Sequence, residues 1–159
     1  MNITIIAVGR IKEKFYTEAI AEYSKRLSRY CSLKIIEVED EKTPDKASDA
    51  LNASIMKKEA DGIRKHIPKD AYVVALAIEG KKYDSVGLAH HLQSLGTSGH
   101  SNIVFIIGGS LGIEADLKRE ADELVSFSDM TFPHQLMRVI LLEQIYRCFR
   151  INNNEPYHK

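Results

Sequence analysis

The sequence predicts a single α/β domain: a mostly parallel sheet with helices on both faces. Two observations carry this. Five short β-branched or apolar runs recur along the chain, and segments with helical periodicity alternate with them to the end. A third bounds it: 159 residues is the length of one domain, spanning 1–159, and enough chain to bury a core without disulfides or metals.

Taken in order, the strands are expected at Ile3 to Val8, Leu33 to Val38, Tyr72 to Ile78, Ile103 to Ile107 and Leu124 to Phe127. The first helix lies in "EKFYTEAIAEYSKRLSRY", where Phe15, Ala19, Ile20, Tyr23, Leu27 and Tyr30 form one apolar stripe at 3.6-residue period. A less regular pattern from Ala47 to His66 gives the second. "DSVGLAHHLQSL" and "IEADLKREA" give two shorter ones, and Pro133 opens the last, where its missing N–H is tolerated. "DEKTPDKASD", Asp40 to Asp49, reads as a mobile loop. There is no internal repeat and no low-complexity tract.

Acidic and basic residues both number 22, so the chain as a whole exerts no long-range pull on phosphate polymers or acidic membranes. The charge is uneven nonetheless. Arg10, Lys12, Lys14, Lys25, Arg26, Arg29 and Lys34 outnumber nearby acids, whereas "EVEDEKTPD" from Glu37 is acidic. Cys31 and Cys148 lie far apart without C-x-x-C spacing, which suits two packing thiols in a reducing compartment. The apolar start "NITIIAV" is too short for a signal h-region, and no apolar run reaches membrane-spanning length. A soluble cytoplasmic protein is expected.

In such a sheet ligands bind beyond the carboxyl ends of the strands, and "VFIIGGSLG" places a turn with three glycines at one such end. As G-x-S-x-G it fits a hydrolase nucleophile elbow, with Ser110, Asp129 and His134 in triad order; yet few residues follow and no second oxyanion donor is evident. A phosphate loop fares no better, since Glu114 and Asp116 occupy the start of the following helix. A ligand without phosphates, S-adenosylmethionine among them, suits the turn: glycine permits close backbone approach, and a sulfonium is not repelled by nearby acids.

The last helix, "HQLMRVILLEQIYRCFRI", is apolar over more of its circumference than one sheet covers, which calls for a second covering surface. Glu143, Arg147 and Arg150 fall on one line, while Arg138 projects among apolar residues. Arg138 is either a buried arginine paired with a carboxylate not identifiable from the sequence or a substrate or subunit-interface residue. His134 shares its side. His66, His90, His91 and His100 read as surface or packing residues.

The run of motifs "ITIIAVGRIKEKF", "EYSKRL", "LAIEGK", "FIIGGSLG", "SFSDMTFPHQLMR", "EQIYRCFRI" and the terminal "PYHK" resembles the RlmH family of SPOUT-class ribosomal RNA methyltransferases over essentially the whole chain. The resemblance implies a SPOUT-type fold with a C-terminal trefoil knot, a feature that generic topology rules would reject. It implies S-adenosylmethionine as methyl donor, contacted by Leu76, Gly108 and the loop Phe127, Ser128, Asp129, Met130, Thr131 and Phe132, with Gly109 and Gly112 keeping the turn open. It further implies methylation of N3 of a pseudouridine in 23S ribosomal RNA on the assembled ribosome. Arg147, Tyr157 and His158 then stand on the substrate side, with His158 or a neighbour handling the N3 proton, and no metal is required. A homodimer is implied; DNA and membranes are not. A related enzyme acting on transfer RNA is the neighbouring alternative. A neutral protein of this kind should bind free RNA poorly, with Arg10 to Lys34 as its RNA-facing patch.

Overall fold

The computed structural model describes residues 1–159. Five strands and five helices alternate: β1 (Asn2–Val8), α1 (Lys14–Leu27), β2 (Ser32–Val38), α2 (Asp49–Arg64), β3 (Tyr72–Lys82), α3 (Ser85–Thr97), β4 (Asn102–Ile107), α4 (Ala115–Glu120), β5 (Glu123–Ser126) and α5 (His134–Asn152). The strands form one sheet in the order β2-β1-β4-β3-β5, every pair parallel.

The side-chain alternation of the strands divides the core in two. Ile3, Ile5 and Ala7 of β1, with Ile103, Phe105 and Ile107 of β4, pack against Leu27 of α1, Leu88 and Leu92 of α3, and Leu141 and Ile145 of α5. On the opposite face Ile6, Val8, Val104 and Ile106 meet Ala60 and Ile63 of α2 and Leu117 of α4. Both faces are thus covered, which is why the central strands read as continuous apolar runs rather than alternating ones. No helix is long and apolar enough to cross a membrane.

Local sequence sets the helix ends. Ser48 accepts the Leu51 N–H (3.2 Å) to start α2, and Asp84 accepts the Gly87 N–H (2.6 Å) to start α3. Pro133 sits one residue before α5, where it lends its carbonyl to the Met137 N–H (2.9 Å) and loses no donor.

Two expectations change. Phe15 leaves the buried stripe of α1: its side chain is 61% exposed, whereas Ala19, Ile20 and Tyr23 are half-buried and Leu27 is buried. The helix begins at Lys14, so Phe15 lies in its first turn, ahead of Ile20 and Tyr23, which pack against the core. The third strand also runs four residues further than its apolar stretch. Val125 is partnered by both Leu76 and Lys81, and Ser126 by Lys82, so Ala77 to Gly80 carry the chain across β5 from one side to the other. Gly80 makes that crossing possible, because a Cβ there would lie 2.6 Å from the backbone of Leu124 and Val125.

Candidate functional site

A cavity of about 340 Å³ opens at the carboxyl ends of β3, β4 and β5, within the size range of small-molecule sites. Its walls come from three stretches: Leu76 to Glu79 in the crossing segment, Ile107 to Ile113 in the glycine turn, and Val125 to Phe132 beyond β5, with Met56 of α2 and His134 and Met137 of α5 closing it. Leu76, Gly108, Gly109, Gly112, Phe127, Ser128, Met130, Thr131 and Phe132 all line this one space. Asp129 does not. Its exposed carboxylate turns outward to Lys82 Nζ (2.6 Å).

The three glycines do different things. Gly112 has φ +84°, a left-handed conformation that favours glycine, and a Cβ there would meet nothing within 4 Å, so a ligand can approach its backbone. Gly108 is needed for the turn's own closure, since a Cβ there would sit 2.7 Å from the Gly112 carbonyl carbon and 2.9 Å from Ile113. Gly109 rests on Val8 and on the carboxyl of Glu59, 3.0 and 3.1 Å from its Cβ position. The turn is therefore compact, and of the three glycines only Gly112 has open space where a Cβ would lie.

Beyond β5 the backbone is left with free donors. Ser128 Oγ accepts the Met130 N–H (3.0 Å), and Ser126 Oγ donates to the Ser128 carbonyl (3.0 Å). The N–H groups of Ser128, Asp129, Thr131 and Phe132 make no hydrogen bond within the protein. A largely apolar cavity with such donors at its rim suits a ligand carrying an aromatic base and polar edges, which S-adenosylmethionine is.

Arg147, Tyr157 and His158 form a second cluster, on the outer side of α5. Arg147 donates to Glu143 Oε1 from Nε (3.1 Å) and Nη2 (2.7 Å), and its Nη1 donates to His158 Nδ1 (3.3 Å). The guanidinium stands 4.6 Å from the centre of the Tyr157 ring, whose hydroxyl donates to the same Glu143 oxygen (3.1 Å). Burial, reinforced by the Glu143 charge, pushes the Tyr157 phenol up to about 12, so it remains protonated at neutral pH. The tail is pinned rather than frayed: Arg150 bonds Tyr30 (3.1 Å), pairs with Glu155 and donates to the Pro156 carbonyl (3.3 Å).

These two clusters are not brought together within one chain. His134 and Met137 touch the cavity, while Arg147 lies thirteen and ten residues further along α5, roughly 15–20 Å at 1.5 Å per residue.

Arg138 proves structural. Only 1% exposed, it pairs with Glu37 (3.1 Å) and donates to the carbonyls of Val8 and Gly9, tying α5 to the end of β1. Burial lowers its pKa despite the Glu37 charge. The Ser110 triad is not assembled: Ser110 is exposed, Asp129 faces Lys82, and His134 stands 3.3 Å from the Cβ position of Gly9. Glu114 is likewise occupied, by Arg64 (2.7 Å). His91 is more than packing, since its Nε2 lies 2.6 Å from Glu123, which also accepts from Tyr83 (2.5 Å). Burial pushes the Cys31 and Cys148 thiols up to about 11 and about 12, so both stay protonated.

Sequence reasoning missed Met56, Ile78, Glu79 and Lys118 at the cavity. Only Glu79 and Lys118 left a trace: opposite charges that pair across the gap between β3 and α4.

A family model described as "Predicted SPOUT methyltransferase" matches residues 1–158. The chain is 61% identical over 159 residues to "Ribosomal RNA large subunit methyltransferase H" of Bifidobacterium adolescentis, covering all of both sequences. It is 60% identical, again over the full length of both, to a chain of Methanococcus maripaludis. Among solved structures it resembles "The structure of a probable methylase family protein from Haemophilus influenzae Rd KW20", with a TM-score of 0.57 and 10% identity over 99% of this chain and 70% of that one. That likeness bears on the fold.

Proposed function

The chain belongs to the SPOUT methyltransferase family, and from that premise we propose that it methylates N3 of a pseudouridine in 23S ribosomal RNA on the assembled ribosome, as a homodimer, with S-adenosylmethionine as donor. One observation carries the reading: nine of the ten residues expected at the donor converge on one cavity, in a chain whose full-length relative bears a ribosomal RNA methyltransferase name. The trefoil knot belongs to the same reading. Its support is the passage of Ala77 to Gly80 across β5, the kind of loop through which the following chain would thread.

The donor supplies a methyl group already activated on a sulfonium, so the protein's work is alignment, exclusion of water and removal of one proton. The free N–H groups of the 128–132 loop and the open backbone at Gly112 hold and orient it, while Leu76, Ile78 and Phe127 keep the cavity dry. Arg147, fixed by Glu143, favours the anionic form of the target imide. His158, whose Nδ1 accepts from Arg147 and is therefore its unprotonated ring nitrogen, receives the N3 proton at Nδ1 as Arg147 turns to the imide, and the protonated Tyr157 positions the pair.

The separation of the clusters within one chain is answered by the dimer, in which one subunit's Arg147 cluster serves its partner's cavity. The outward residues of α5 support this: Leu136 and Ile140, then Glu143 and Arg147, lie in line and stay half-buried in the single chain.

Transfer of labelled methyl from the donor to ribosomes lacking the modification tests the reading, with transfer RNA offered in parallel. Label at N3 of a large-subunit pseudouridine is the expected result. No transfer by intact, donor-binding protein, or transfer to transfer RNA alone, would overturn it.

A further inference from the structure

The exposure of Phe15 is at odds with the economy of the rest of the fold. Phe15 carries an aromatic ring into solvent, and Tyr16 stands beside it with ring centroids 4.4 Å apart at a tilt of 56°. Arg10, Lys12 and Lys14 precede the pair closely in the chain, all exposed. The acids of the stretch are Glu13 and Glu18, also exposed; only Glu18 is paired, with Lys14 across 3.5 Å, a contact that water and salt largely screen.

This loop is not loose. The Gly9 N–H donates to the Val38 carbonyl (2.7 Å), the Ile11 N–H to Glu37 (3.4 Å) and the Lys12 N–H to Gln135 Oε1 (3.1 Å). Gln135 follows His134, which lines the cavity. The three residues from Lys12 to Phe15 span at most about 10 Å. The aromatic pair is therefore held beside the cavity end of α5.

We propose that Phe15 and Tyr16 are a stacking platform for an unpaired RNA base next to the methylated nucleotide, with Arg10, Lys12 and Lys14 meeting the flanking phosphates. This rests on the ribosomal RNA reading above and adds to it how the substrate is gripped. Single-stranded RNA is recognised where π-faces and cations coincide, and in a chain of zero net charge this is a local coincidence of both. Charge complementarity favours RNA over an apolar protein partner, which would gain nothing from three cations closely preceding the rings.

The chain contains no tryptophan, so Phe15→Trp introduces its sole indole. Its emission is expected to be quenched by single-stranded oligouridylate at low ionic strength. Phe15→Ala should raise KM for ribosomes lacking the modification roughly tenfold, leaving kcat, donor affinity by calorimetry and dimer mass by sedimentation unchanged. Unquenched emission, or an unaltered KM in Phe15→Ala, would overturn the platform. Loss of the dimer in Phe15→Ala would also overturn it, by making Phe15 a subunit contact. If the parent protein transfers no methyl to ribosomes, the reading above fails, whereas oligouridylate quenching still decides the platform.

Discussion

The cavity at the end of the sheet and the cluster at the end of α5 are built on opposite plans. The polar part of the cavity is made of backbone: a left-handed glycine, two glycines wedged against neighbouring chain, and a loop in which the N–H groups of Ser128, Asp129, Thr131 and Phe132 meet no protein acceptor. The cluster is made of side chains, with one carboxylate gathering an arginine and a tyrosine, and the arginine reaching a histidine. A site of the first kind is fixed by the fold and fails when the fold is crowded. A site of the second kind is laid onto a finished helix, so its members can be removed one at a time with the protein intact.

That contrast is sharpest where a Cβ is added to the backbone site. Gly108→Val should weaken donor binding by at least about a hundredfold in calorimetry, equivalent to ~2.7 kcal/mol, because the turn must open to admit the side chain. Unchanged affinity in a folded variant would break the comparison. Gly80→Ala should cost about 2–3 kcal/mol in denaturant unfolding, since the new atom meets β5 backbone that cannot move aside.

Changes in the side-chain site should leave folding and donor affinity alone. Arg147→Ala is expected to slow methyl transfer about a hundredfold, as Glu143 loses its partner and Tyr157 and His158 lose their support. His158→Ala should slow it about tenfold, because a water can take the place of an exposed imidazole; a parallel loss of donor binding would place His158 elsewhere.

The smallest expected effect concerns Glu59, which is 5% exposed and underlies Gly109 with Oε1 accepting the Glu41 N–H (3.2 Å) and Oε2 unpartnered. Burial raises its pKa, with Asp40 and Glu41 adding to the rise. The folded state therefore holds this proton more tightly than the unfolded chain. Its contribution to stability is full below the ordinary carboxyl pKa and is lost as pH rises through the folded value. Glu59→Gln should thus raise Tm modestly at neutral pH, by an amount that shrinks to nothing on acidification.

The same contrast decides what could be read from the sequence. Strand runs and helix stripes were legible because burial imposes a period, and all five strands and five helices stand where that period put them, to within a few residues. The extension of β3 to Lys82 was not, because "EGKK" is polar and pairs with β5 through its backbone. The glycines announced a turn without announcing their separate duties, which depend on what lies across from each. Arg138 was conspicuous as a cation among apolar residues, but its partner Glu37 is 101 residues away and no local pattern links them. The residues expected at the donor came from a resemblance, not from spacing, and what the fold shows of them is that nine line one cavity. Leu76 and Phe127 differ in no local way from other apolar residues; only tertiary folding brings them to one space.

The return of β3 along the far side of β5 also bears on how these molecules behave in a crowd. A terminal strand with a bare row of N–H and C=O groups invites a stranger's strand to join it, and Lys81 and Lys82 already occupy that place on β5. Growth of the sheet by addition is then left to β2, where Lys34 and Glu37 project from the strand and Glu39 follows directly after it. Charge guards one flank and the protein's own chain guards the other, which leaves little of the sheet's edge open to a second copy.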